Sequence, residues 1–132
     1  MQDRWLEKNI NLNTLTQQIK QFFTEKQFTT TTEQKTNQYK IEAATQKILN
    51  IQLKIKVEII GQPNNFTINY TTNQNNKRLL SSPVVKYFAW ALGGGIIILK
   101  QEKAREALEK FENNFWSYVD EKIAQLTRKQ DQ

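Results

Sequence analysis

Apolar residues recur along this chain at two spacings, and the spacing changes twice. Leu15, Ile19, Phe22 and Phe23 fall at steps of three and four, with Gln17, Gln18, Lys20 and Gln21 between them. That pattern predicts an amphipathic helix ending near Lys26, with Asn13 or Thr14 placed to accept from its first free N–H groups. From Phe28 onward the period drops to two. Phe28 to Thr32 is a β-branched run that reads as an edge strand. Glu33 to Gln38 reads as a polar turn. Tyr39, Ile41 and Ala43 then alternate with Lys40, Glu42 and Ala44; Leu53, Ile55, Val57 and Ile59 alternate with Lys54, Lys56 and Glu58. Gly61-Gln-Pro63-Asn64-Asn65 has turn chemistry, and Phe66, Ile68 and Tyr70 complete a fourth strand. Strands greasy on one side and wet on the other, joined by short links, make an antiparallel meander.

The helical period returns in the last third of the chain. Ala104, Leu108, Phe111, Phe115, Val119, Ile123 and Leu126 form one stripe within Leu99–Arg128, uninterrupted by Pro or Gly. At 1.5 Å per residue that helix is roughly 40 Å long. Before it, Ser81-Ser82-Pro83 reads as a helix start. Val84, Val85, Tyr87, Phe88, Trp90 and Leu92 then read as a short buried helix, and Gly93-Gly94-Gly95 ends it. Met1 to Asn11, which carries Trp5, Leu6 and Ile10, is either a short strand or a lead-in whose Trp5 tucks against the core.

The expected fold class is therefore α+β, a single domain over residues 1–132. A four-stranded antiparallel meander is covered on one face by an N-terminal helix, a short apolar helix and a long C-terminal helix. This layout is similar in outline to helix-grip and other small sheet-plus-long-helix modules, and no motif singles out one family.

Composition narrows the chemistry more than it names it. Gln, Asn and Thr make up 41 of 132 residues, yet the apolar runs stay periodic, so the chain folds despite its polarity. It contains no Cys and no His. Disulfides, thiolate nucleophiles, imidazole acid–base catalysis and most zinc sites are thereby excluded. Asp occurs only at positions 3, 120 and 131, and nothing brings Glu42, Glu58 or Glu109 together as a catalytic pair. No catalytic residue, metal ligand or cofactor is assigned, and the chain is expected not to be an enzyme. The first residues lack an apolar h-region, which points to a cytoplasmic protein. The uncharged run Tyr87–Leu99 is too short to span a bilayer.

The net charge of +6 raises nucleic acid as a partner. The candidate anion contacts are Lys40, Lys54 and Lys56 on the outer strand face, and Lys77 with Arg78. Sheet aromatics that could stack bases fall instead in the apolar register. Gly93–Gly95 matches neither phosphate-binding glycine pattern.

The expected function is a small non-enzymatic binding or interaction module. It has either an apolar pocket between sheet and long helix or a self-association surface. The alternative is a basic nucleic-acid-binding domain. Ligand or interface candidates are Tyr87, Trp90, Phe115, Trp116, Tyr118, Val119 and Ile123. A homodimer is suggested by length, because Val119, Ile123 and Leu126 overhang a sheet whose eight-residue strands span roughly 27 Å. The N-terminal segment is the other candidate cover. A protein partner and an apolar small ligand complete the partners considered.

Overall fold

The computed structural model describes residues 2–6, 8–45, 53–72 and 101–130, with side chains of the last stretch described at 109–127. Strand β1 is Gln2–Leu6, helix α1 Leu12–Glu25, and strands β2 and β3 are Thr29–Lys35 and Gln38–Ala44. Strands β4 and β5 are Lys54–Gln62 and Asn65–Thr72, and helix α2 is Gln101–Gln130. All five strands are antiparallel in the order β1-β5-β4-β3-β2. The first strand and the second therefore sit at opposite edges, and α1 crosses between them, packing on β2, β3, β4 and α2.

Local chemistry explains both ends of α1. The Asn11 side chain accepts from the Thr14 N–H at 3.1 Å, so the cap is Asn11, earlier than Asn13 or Thr14. At the far end Gln27 turns left-handed (φ 68°). The Gln27 N–H bonds the Thr24 carbonyl and the Phe28 N–H bonds Phe23, both at 3.0 Å. The Phe23 and Phe28 rings meet at 5.7 Å. This is a Schellman cap with its usual apolar contact, and it aims the chain into β2.

Alternation in the sheet then does what the period demands. Ile41 and Ala43, Leu53 to Ile59 at every second residue, and Phe66, Ile68 and Tyr70 are buried in one core. Leu12, Leu15, Ile19, Phe22 and Phe23 of α1 join them, with Phe111, Phe115, Trp116, Val119, Ile123 and Leu126 of α2. Rings dominate the seams: Tyr70 of β5 meets Phe115 of α2 at 4.8 Å, and Phe22 of α1 meets Phe111 of α2 at 5.4 Å. Two tight hairpins hold register. Thr36-Asn37 links β2 to β3 with Asn37 at φ 60°, and Pro63-Asn64 links β4 to β5. The Pro63 carbonyl also accepts from the Ile10 N–H at 3.2 Å, which pins the lead into α1.

Several expectations require correction. The sheet has five strands, not four, because Gln2–Leu6 pairs with β5 and sets Trp5 opposite Phe66. As an edge strand it hides one side chain, so five residues carrying Asp3 and Arg4 leave almost no alternation to read. β2 continues through Glu33, Gln34 and Lys35, which the polarity had marked as turn; an exposed edge needs no apolar partner. Val119, Ile123 and Leu126 are buried within the chain's own core, so the length mismatch is met without a second copy. The short apolar helix expected at 83–92 lies outside the described residues.

Candidate functional site

Five of the seven apolar candidates fall on the described part of α2. Phe115, Val119 and Ile123 are buried, and Trp116 is nearly so. The Trp116 indole N–H donates to Glu112 at 3.1 Å, and its ring stacks on Trp5 at 6.3 Å. Tyr118 is half-buried against α1. These side chains fill the space between helix and sheet. Tyr87 and Trp90 lie outside the described residues.

Clefts among the described residues open elsewhere. One of about 730 Å³ lies between the start of α1 and the two hairpins, lined by Asn11, Lys35, Asn37, Tyr39 and Pro63 among others. Another of about 460 Å³ lies between β2 and β5 at the opposite end of the sheet, lined by Thr29, Glu42, Ala44, Lys54 and Thr72 among others.

The outer sheet face holds Lys40, Lys54 and Lys56 beside the carboxylates of Glu42 and Glu58. Lys40 reaches Glu42 at 3.0 Å and Lys56 reaches Glu58 at 3.2 Å. Across strands, Lys40 lies opposite Glu58 and Glu42 opposite Lys56, so signs alternate in both directions. The hydrogen bond and charge of Glu42 raise the Lys40 pKa, and Lys40 lowers that of Glu42 in return. Gln38 donates to Glu58 at 3.0 Å. Lys77 and Arg78 lie outside the described residues. Among the described residues no three His, Cys, Asp or Glu gather as a metal site, and no helix is long and apolar enough to cross a membrane.

Among the described residues, what remains open is a sheet edge. In an antiparallel ladder each residue turns both N–H and C=O to the same neighbour, and the neighbour alternates along the strand. Thr45 N bonds Leu53 O at 3.0 Å and Gly61 N bonds Asn37 O at 2.9 Å. Odd-numbered residues of β3 therefore face β4, and even-numbered ones face β2. With Gln38 opposite Lys35 and Glu42 opposite Thr31, the odd residues of β2 bond inward. Thr30, Thr32 and Gln34 turn their N–H and C=O groups outward. All of β2 except half-buried Thr30 is exposed. The strand contains neither Pro nor Gly, and its only charges, Glu33 and Lys35, stand at its C-terminal end.

Compared with protein-family models, with curated proteins and with solved structures, the chain matches none. Sequence reasoning placed Phe28–Thr32 at an edge but did not recognise it as a site. The usable signal was its length once Glu33 to Lys35 are added.

Proposed function

We propose that this chain is a non-enzymatic protein-interaction module that captures an extended segment along β2. The outward row of backbone groups at Thr30, Thr32 and Gln34 carries this reading. An exposed strand edge offers main-chain hydrogen bonds to any chain that adds as a further strand. A pocket for an apolar ligand under α2 has less support, since Phe115, Trp116, Val119 and Ile123 occupy that space. A basic nucleic-acid face also has less support, because Lys40 and Lys56 spend their charge on Glu42 and Glu58.

Selection of displayed random peptides on the folded chain tests the reading. Binders should perturb the amide signals of β2 and lose affinity on Thr32→Pro. Proline at that position removes an N–H that points outward, which edge strands tolerate. Binders that map to α2, or that ignore Thr32→Pro, would refute it.

A further inference from the structure

Resting on that edge-capture reading, we infer that the strand which seats on β2 is β2 of a second copy of this chain, antiparallel about a two-fold axis at Thr32. The outward groups belong to Thr30, Thr32 and Gln34, a set symmetric about its middle residue. Antiparallel self-pairing about Thr32 puts Thr30 against the partner's Gln34 and Thr32 against the partner's Thr32. Every outward N–H and C=O of both strands then meets a complement.

Charge selects this register over its neighbours. About Thr32, Glu33 faces a threonine and Lys35 faces a threonine, so no like charges stand directly opposite. Sliding by two residues in one direction brings Glu33 against Glu33, which is unfavourable in a cross-strand pair. Sliding in the other direction leaves Lys35 beyond the partner's strand and shortens the ladder.

The opposite edge argues for a closed pair. β1 is only five residues, carries Asp3 and Arg4, and holds the Arg4 guanidinium on Asn65 at 3.0 Å. Short charged edges resist pairing, so β2-to-β2 pairing ends in a two-fold dimer with one continuous sheet.

Seven residues of edge contact bury less than the roughly 1,200–2,000 Å² of a stable interface, so the dimer is weak and sedimentation must sample up to about 1 mM. The expected result is a monomer–dimer equilibrium that Thr32→Pro weakens about tenfold or more while the melting temperature is kept. Because the chain has no cysteine, single nitroxide labels give a second reading. Labels at Thr32→Cys should broaden each other strongly, with Cα atoms about 5.5 Å apart across the axis. Labels at Gln2→Cys should lie roughly 40 Å apart, nine strand spacings away.

A chain that stays monomeric at about 1 mM overturns the second copy, as do close Gln2 labels with distant Thr32 labels. In those cases displayed peptides that still depend on Thr32 leave edge capture standing. Peptides that ignore Thr32 refute edge capture as well.

Discussion

The indole rings of Trp5 and Trp116 stack at 6.3 Å with 27° between their planes, joining the first strand to the last helix. Trp5 also stacks on Phe66 of β5 at 5.6 Å. A residue from a short, mostly exposed edge strand thus closes the core under α2. Replacing it opens the seam on three elements at once. Trp5→Ala should cost about 2–3 kcal/mol, below the 3–5 typical of a fully buried aromatic because Trp5 is only half-buried. Urea unfolding measures this, and a loss under about 0.5 kcal/mol would show that β1 merely lies on the fold.

Gln27 holds a left-handed conformation at the C-terminus of α1 without being glycine. An L side chain there costs about 1 kcal/mol or more. Gln27→Gly should therefore raise stability by about 0.5–1 kcal/mol, the unfolded chain's added freedom offsetting part of the gain. Thermal melts decide it. An unchanged or lower midpoint would mean the Gln27 side chain contributes something its backbone obscures.

Gly61 sits opposite Phe66 at φ 132°, where an added Cβ would lie 2.3 Å from the Asn65 carbonyl oxygen and 2.9 Å from the Phe66 Cα. Both atoms are backbone, so neither can swing aside. Gly61→Ala should destabilise by more than about 1 kcal/mol and shift the amide signals of the β4–β5 hairpin. A neutral substitution would show that the hairpin relaxes at no cost.

Burial, and secondarily the Glu112 carboxylate, pushes the Tyr70 phenol far above its ordinary value of 10.0. Burial first, then Glu25 and Glu121, raises Tyr118 as well. The folded state thus holds phenolic protons that the unfolded chain releases near pH 10. Their stabilisation is complete below that pH and is lost as pH climbs above it. Stability should fall above about pH 10, with Tyr70 contributing at most about 1.4 kcal/mol per pH unit. Tyr70→Phe should flatten that fall. An identical alkaline slope in the variant would remove Tyr70 as its source.

The structure separates what was legible in the sequence from what was not along physical lines. Leu53 to Ile59 and Phe66 to Tyr70 announced strands with one wet face, because two-residue alternation is written wherever one face is buried and the other is not. Leu15 to Phe23 and Phe111 to Leu126 announced helices for the same reason at a period of 3.6. Edges carry no such imprint. β1 buries little beyond Trp5 and β2 almost nothing, so β1 could not be told from a leader, nor the Glu33–Lys35 end of β2 from a turn.

The candidate site was harder to read than the fold, because it consists of backbone. Which N–H groups face outward depends on which strand lies on the other side. By itself the sequence determined the N-terminal and the long C-terminal helix, the three inner strands, the wet and dry faces, and the absence of histidine and cysteine side chains. All of these follow from local period and residue type. Only the tertiary structure decided that β1 joins the sheet beside β5, that the end of α2 is covered from within, and that the edge expected at Phe28–Thr32 runs on through Lys35 and stays open among the described residues. The first two depend on contacts between residues about sixty or more positions apart, and the third on which strands lie on either side of β2; no local spacing records them.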